Sequence, residues 1–370
     1  MTEKAILQVI REDGTFDASL EPRMSEERLK DLYRALVFVR TLDTRMLSLQ
    51  RQGRIGFYVP SSGEEATQIG SVAALSKEDW IFPAYREPGT ALWRGYPLAS
   101  LISQFYGNAE DLVKGRQMPN HFANRELRIV SISSPVGTQI PHAVGCAWAM
   151  KIRGEANAAI VYFGDGATSQ GDFHTGMNFA GVFGVPCVFL CKNNQWAISV
   201  PVEKQTAATS LAVKARAYGF EGMRVDGNDV LAVYSATKWA VEKARTGGGP
   251  TLIEAVTYRM GPHSSSDDPS RYRKPEEVEH WRQKDPVERF RRYLEGKGSY
   301  DATWDAGMRG EIDEAITEAV RTAEKVPPPA METVFTDVYA EVPWHLREQM
   351  EEFLKGGFRR RPEDMGAFPL

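Results

Sequence analysis

Three cysteines in 370 residues, Cys146, Cys187 and Cys191, are too few and too odd a number for a disulfide framework. Cys187 and Cys191 flank the apolar Val188-Phe189-Leu190, and no His or Cys pair completes a metal site around them. They read as free thiols packed as small hydrophobes. No apolar run reaches the roughly 18 residues that a spanning helix needs, so no membrane span is expected. No basic block occurs either: the net charge of −4 is spread along the chain, which argues against nucleic-acid binding. The first ten residues carry Glu3 and Lys4 and lack the apolar core of a signal peptide. The expectation is a cytoplasmic protein. Internal repeats and low-complexity tracts are also missing. What remains is globular: 42% hydrophobic and 25% charged, in a length that suits one large domain or two ordinary ones.

The N-terminal 24 residues look irregular and read as an arm. Ser25 is placed to cap a helix opening Glu26-Glu27-Arg28, with acids in its first turn. Leu29, Leu32, Leu36, Val39 and Leu42 give that helix an apolar stripe. Glycines break it at 51–57, and a second helix fits 64–75. From Gln139 onward the pattern becomes alternating. Helices fit 138–153, 172–183, 207–218 and 229–245. The short apolar runs 158–163, 185–191 and 250–257 fit buried parallel strands. The alternation predicts an α/β fold, a doubly wound parallel sheet flanked by helices. Residues 261–273 form a polar loop without periodicity, the kind that is functional or mobile when long. Helices resume at 275–284, 287–296 and 307–325, and Pro327-Pro328-Pro329 stops the last one. The tail from 327 to 370, with Phe358-Arg-Arg-Arg361 and Phe368-Pro-Leu370, has little core of its own and is expected to lie on a partner. The organisation expected is thus an arm (1–24), one α/β domain (25–326) and a tail (327–370).

Gly164-Asp165-Gly166 directly follows a predicted strand. Two glycines around an acid let the backbone approach a phosphate while the acid faces a cation. The residues that follow lead into a helix whose N-terminus favours anions. The next strand ends in Asn193-Asn194, with 26 residues between Gly166 and Asn193. One strand–helix–strand unit therefore brings Asp165 and Asn194 to the same sheet edge. A carboxylate, an amide oxygen, a backbone carbonyl and two phosphate oxygens would suit an octahedral Mg²⁺ ion. Lys192 could add charge beside a phosphate. A GDG alone is equally well a tight turn; the pairing with NN at the next strand end is the stronger signal.

The GDG-x26-NN pattern resembles the thiamine diphosphate motif. The chain from about Leu29 to its C-terminal segment resembles the alpha subunits of the decarboxylating component of 2-oxo acid dehydrogenase complexes. The segments that carry this are RQGRIGFY (51–58), AYREPG (84–89), YGNAEDLVKGRQMPNHF (106–122), SISSPVGTQIPHAVG (131–145), GDGATSQGDFHTGMNFA (164–180), CKNNQWAIS (191–199) and YRMGPHSSSDDPSRYR (258–273). RQGRI, KGRQMPNH and the last loop look most like the branched-chain (2-oxoisovalerate) type, and pyruvate and acetoin relatives share much of the rest.

The resemblance implies a thiamine diphosphate-binding fold and roles for particular residues. Asp165 and Asn194 would hold Mg²⁺ by side chains and Trp196 by its carbonyl. Tyr85 and Arg86 would bind the diphosphate, with Gly164, Gly166, Ala167, Thr168, Lys192 and His263 completing that pocket. Ser134, Pro135, Val136 and Ile198 would hold the aminopyrimidine side and the bent cofactor. His263 would also lie near the reacting carbon as the catalytic histidine. Phe57, Tyr85, Met118 and His121 would line the substrate entrance. Ser133, Pro135, Thr138 and Gln139 resemble a K⁺ site. His142 and His174 read as structural, and His280 and His345 have no supporting context. Ser264, Ser265 and Ser266 sit where some relatives are phosphorylated, although nothing in the sequence points to a kinase.

The implied reaction is oxidative decarboxylation of 3-methyl-2-oxobutanoate and related 2-oxo acids. The acyl group would pass to a lipoyl group on a dihydrolipoyl acyltransferase. The carboxylate that activates the cofactor would come from a beta subunit in an α₂β₂ heterotetramer. Two alternatives stay open: a pyruvate or acetoin enzyme, and a noncatalytic assembly subunit.

Overall fold

The computed structural model describes residues 5–356. Six strands form one parallel sheet: β1 (Ile6–Leu7), β2 (Trp80–Phe82), β3 (Ala159–Gly164), β4 (Cys187–Asn193), β7 (Glu221–Asp226) and β8 (Thr251–Val256), in the order β1-β7-β8-β4-β3-β2. Between β4 and β7 a small antiparallel hairpin, β5 (Trp196–Ala197) and β6 (Val200–Pro201), leaves the sheet edge. Strands β3 and β4 are buried along almost their whole length, as expected of parallel strands covered on both faces.

Alternation along the strands sorts their side chains into two layers. Ala159, Val161, Phe163, Cys187, Phe189 and Cys191 pack with helices Gln139–Ile152 and Gly171–Phe183. Ile160, Tyr162, Val188, Leu190, Ile253 and Ala255 face the other way, toward helices Glu26–Arg51, Glu65–Ala73 and Val230–Arg245. The fold is therefore the doubly wound parallel α/β arrangement that the alternation predicted. The long N-terminal helix starts where its sequence says it should, with the Ser25 hydroxyl accepting from the Arg28 N–H at 3.2 Å.

Several expectations need correction. The N-terminal arm is not wholly irregular: Ile6 and Leu7 pair with Arg224 and Val225 as an edge strand. Beyond Gln8, Val9 and Ile10 donate their N–H groups to the buried carboxylate of Asp229. The helix expected over 207–218 is only a 3₁₀ segment, Ala212–Tyr218. Its start is claimed by other acceptors. The Ala208 N–H bonds the Thr206 hydroxyl, and the Ala212 N–H bonds the Glu254 carboxylate in place of a carbonyl four residues back. Strands β2 and β7 and the helix Leu98–Tyr106 were not foreseen. The tail beyond Pro327 contains helices Thr333–Thr336 and Trp344–Gly356, neither with a buried residue. The segments Phe358–Arg361 and Phe368–Leu370 lie outside the described residues.

Four neighbouring strands deliver residues to one edge of the sheet. Gly164 at the end of β3 lies level with Lys192 near the end of β4, and Asn193 lies level with Val256 of β8. The chain leaves β2 toward Tyr85-Arg86 and leaves β8 toward Arg259 and His263. This carboxyl edge is where open α/β sheets bind ligands.

Candidate functional site

A cavity of about 430 Å³ opens at that edge. Of the residues singled out from sequence, Phe57, Tyr85, Arg86, Met118, His121, Ser133, Ser134, Val136, Gln139, Gly164, Asp165, Gly166, Ala167, Lys192, Asn194, Trp196, Ile198 and His263 line it. Pro135, Thr138 and Thr168 lie beside it without lining it. Thr168 turns its hydroxyl back onto the Asp165 carbonyl at 2.8 Å and receives Lys214 at 3.0 Å, so it braces the turn. Pro135 and Thr138 close a turn on each other, Thr138 N–H to Pro135 carbonyl at 3.4 Å. The Gln139 amide is anchored to the Tyr162 carbonyl at 2.8 Å.

The close approach of the segments depends on glycine. Gly63 has φ +98°, and a Cβ there would fall 2.2 Å from the Tyr258 carbonyl oxygen. Gly166 has no room for a side chain because a Cβ would fall 2.7 Å from that of Ala197. The hairpin therefore sits directly on the GDG turn. The hairpin itself carries two non-glycine residues in the left-handed region, Gln195 at φ +75° and Ile198 at φ +55°. For β-branched Ile198 that conformation is costly. Arg259 clamps it, donating to the carbonyls of Trp196 at 3.1 Å and Ile198 at 2.7 Å.

Asp165 is buried. Among the described residues its carboxylate has one side-chain donor, Gln205 at 2.7 Å, and no ion-pair partner. Burial raises its pKa to about 6 against the opposing effect of the Gln205 bond. A buried carboxylate left without a cation, lining a cavity with the Asn194 amide and the Trp196 carbonyl, is a set of hard oxygen donors of the kind Mg²⁺ prefers. Among the described residues no cluster of three His, Cys, Asp or Glu side chains could hold a metal alone. An octahedral ion here would take its remaining oxygens from water or a bound molecule.

Lys192, expected to add charge beside a phosphate, is paired within the protein. Its ammonium is enclosed by two buried carboxylates, Glu64 at 2.8 Å and Glu87, and also donates to the Arg86 carbonyl at 3.3 Å. Burial alone would lower the Lys192 pKa, but the two carboxylates outweigh it and hold it above its ordinary value. Glu64 also accepts from the Asn194 amide at 2.7 Å and lies 3.7 Å from Arg86 Nε. Burial would raise Glu64, yet Lys192 and Arg86 pull it below the usual carboxylate range.

Arg86 donates to the carbonyls of Pro60 and His263 and to His263 Nδ1 at 3.2 Å. His121 has Nδ1 at 3.2 Å from the Pro119 carbonyl and Nε2 at 2.8 Å from the Ser134 hydroxyl. A carbonyl only accepts, so His121 carries its hydrogen on Nδ1 and accepts from Ser134. Burial lowers its pKa. The Tyr85 ring stacks on His121 at 6.4 Å and meets His263 edge-on at 6.1 Å. His142 and His174 lie on exposed helix faces away from the cavity, with His174 Nδ1 bonded to the Tyr218 hydroxyl.

Glu64, Glu87, Gln205 and Arg259 were not singled out from the sequence. Only the adjacency of Glu64 and Glu65 to a glycine, and of Glu87 to Tyr85-Arg86, hinted at two of them.

Comparison with known proteins agrees with this geometry. The dehydrogenase E1 component family matches residues 33–332. The chain is 44% identical to 2-oxoisovalerate dehydrogenase subunit alpha 2, mitochondrial, of Arabidopsis thaliana, over 92% of this chain and 72% of the relative. It is 44% identical to the mitochondrial 2-oxoisovalerate dehydrogenase subunit alpha of Homo sapiens, over 93% of this chain and 78% of the relative. The Dictyostelium discoideum protein of that name is again 44% identical, over 90% and 76%. A family match over most of the chain, together with relatives this similar over most of their length, shows that the chain belongs to the dehydrogenase E1 component family.

Proposed function

We propose that this chain is the alpha subunit of a branched-chain 2-oxo acid dehydrogenase and that its cavity holds the metal–diphosphate end of thiamine diphosphate, the cofactor that family membership implies. The observation that carries this reading is that Asp165, Asn194 and Trp196 line one cavity together with Tyr85, Arg86 and His263. When bound, the cofactor would accept the electron pair released as a 2-oxo acid loses carbon dioxide.

The chain's own residues bind and orient. Asp165, Asn194 and the Trp196 carbonyl would hold Mg²⁺ against the diphosphate. Tyr85, Arg86 and the backbone at Gly164, Gly166 and Ala167 would receive the phosphate oxygens. His263, with its hydrogen on Nε2, would offer a neutral donor near the reacting carbon. Ser134, Val136 and Ile198 would support the remainder of the cofactor, and Ser133, Pro135, Thr138 and Gln139 a K⁺ ion. Phe57, Met118 and the Tyr85–His121–Ser134 group would receive the substrate, the first two for a branched aliphatic chain and the last for its carboxylate. The 2-oxoisovalerate names of the relatives support this substrate class.

A beta subunit in an α₂β₂ assembly would supply the carboxylate that activates the cofactor, and a lipoyl-bearing acyltransferase would accept the acyl group. Exposed apolar residues support a partner. Met118, Val136 and Ile198 lie about half exposed at the cavity, and Ile152, Phe179 and Val182 stand out from the helices beside it. The tail adds Val334, Val338, Tyr339 and Trp344, all exposed, which supports a tail that packs on the partner. Among the described residues no helix is long and apolar enough to cross a membrane. The relatives' names place them in mitochondria, whereas the sequence expectation for this chain is the cytoplasm; cell fractionation decides between them.

The test is turnover by the chain reconstituted with its beta subunit, comparing 3-methyl-2-oxobutanoate with pyruvate. A preference for the former is expected, and none by the chain alone. Preference for pyruvate would move the assignment to the pyruvate type. Full activity of Asp165→Asn in the assembly would favour a noncatalytic assembly subunit.

A further inference from the structure

We propose that Gln205 and Glu64 are positioning residues that orient the side chains of Asp165 and Asn194 toward the metal. This inference rests on the reading of those two residues as Mg²⁺ ligands. Both positioning residues come from outside the GDG–NN unit: Gln205 lies 40 residues from Asp165, and Glu64 lies 130 residues from Asn194.

The need for them follows from the shape of the ligands. A carboxylate has two equivalent oxygens and a free χ2, so nothing intrinsic selects which oxygen meets the ion. An amide has two ends of nearly equal size, one a donor and the other an acceptor, and only the acceptor can bind a cation. Hydrogen bonds remove each ambiguity here, one at Asp165 and two at Asn194, where the Trp196 N–H also donates to Oδ1 at 3.2 Å. Gln205 Nε2 donates to Asp165 Oδ2 at 2.7 Å, which leaves Oδ1 for the ion. Glu64 Oε1 accepts from Asn194 Nδ2 at 2.7 Å. Only the amide hydrogen end can make that bond, so Oδ1 is directed to the opposite side. Orientation by such outer partners is a general property of metal sites.

The two positioning residues are themselves fixed. Glu64 is fully buried, and its second oxygen is held by Lys192 at 2.8 Å. Gln205 follows the hairpin that rests on Gly166, its N–H bonded to the Val202 carbonyl at 3.0 Å. The hairpin thus does two things at once: it presents the Trp196 carbonyl and carries the donor that sets Asp165. A mobile side chain in either place would leave the ligands rotating in the empty site. The entropy of ordering them would then fall on metal binding.

The experiment measures Mn²⁺ binding by electron paramagnetic resonance, with thiamine diphosphate present, on the chain assembled with its beta subunit. Wild type, Gln205→Leu and Glu64→Gln are compared, and thermal unfolding without metal is followed alongside. Gln205→Leu keeps the volume and removes the donor, so a rise in Mn²⁺ Kd of about 10-fold or more is expected, with little change in metal-free unfolding. Glu64→Gln can offer its one amide oxygen to Asn194 by turning its NH2 end toward Lys192, whose ammonium then shifts onto Glu87. Its Kd is expected to stay within about threefold of wild type, well below the Kd of Gln205→Leu. Wild-type affinity in Gln205→Leu would overturn the role of Gln205. A loss in Glu64→Gln as large as that in Gln205→Leu would mean that Glu64 acts through its charge, which overturns its positioning role. Failure of the wild-type assembly to bind Mn²⁺ at all would instead overturn the functional reading, so the two failures are told apart.

Discussion

Arg86 donates to His263 Nδ1 at 3.2 Å. A guanidinium only donates, so Nδ1 must accept, and the imidazole is the neutral Nε2–H form. Burial, then the positive charges of Arg86 and Arg259, lower its pKa to about 3. His263 is therefore expected to stay neutral throughout the working range. Its Cε1–H resonance should not shift between pH 5 and 8, and a titration midpoint near 6.5 would refute the assignment. The linkage has a definite sign. The folded state refuses a proton that the unfolded chain accepts at about 6.5. The stability tied to this group is then complete above about 6.5 and declines as pH falls toward about 3. The urea midpoint of wild type relative to His263→Asn should drop over that interval.

Asp165→Asn should separate stability from function. The carboxyl has a folded pKa of about 6, above the ordinary 3.8, because burial penalises its charge. Stability linked to it is present below 3.8 and lost as pH rises through about 6. At pH 7.5 the charged form is a burden on the metal-free fold. An asparagine still accepts from Gln205 and carries no charge. The metal-free melting temperature is therefore expected to stay level or rise, while the increase that Mg²⁺ and thiamine diphosphate give wild type disappears. Differential scanning calorimetry with and without both ligands reads the two effects; a large loss in the metal-free state would contradict the account. Such a trade of stability for function is common at active sites.

Why these site residues were legible and others were not has a physical basis. Asp165 and Asn194 stand at the ends of uniformly apolar strands, and the 26-residue gap is the length of one helix and one strand. The chain itself carries that information. Glu64 and Gln205 reach the site only through tertiary approach, and a lone Glu or Gln beside a glycine or in a polar loop has no local signature. The unread strands fail for the same reason. β1 has two residues and β2 three, too short for a period. β7 reads Glu-Gly-Met-Arg-Val-Asp because one of its neighbours is only that two-residue edge. The failed helix over 207–218 shows the reverse case, where Ala-rich propensity lost to the Glu254 carboxylate, which draws the Ala212 N–H away.

Lys192→Met is expected to act on the fold before it acts on any ligand. The methionine matches the stem of the lysine but leaves Glu64 and Glu87 buried without their shared cation. Breaking a buried ion pair from one side typically costs about 3–5 kcal/mol. Urea unfolding should show a loss of that order, and Lys192→Arg should recover part of it. If Lys192→Met unfolded like wild type and only phosphate affinity fell, the role of Lys192 would be its charge beside a phosphate and not its pairing with Glu64 and Glu87.

Val182 offers a test of the partner face that leaves the cavity alone. It is 69% exposed on the helix Gly171–Phe183, close in sequence to Phe179 at 45%, on the side of the helix turned away from the sheet. A charge there meets water in the isolated chain, so Val182→Asp should change the chain's stability by no more than about 0.5 kcal/mol. In an assembly that covers this face the same carboxylate would be buried without a cation, at a cost of several kcal/mol. Sedimentation velocity of the chain mixed with its beta subunit should therefore show assembly weakened at least tenfold, with unchanged circular dichroism of the chain alone. Assembly as tight as wild type would place the partner on another surface. The exposed tail residues Val338 and Trp344 would then be the next to charge.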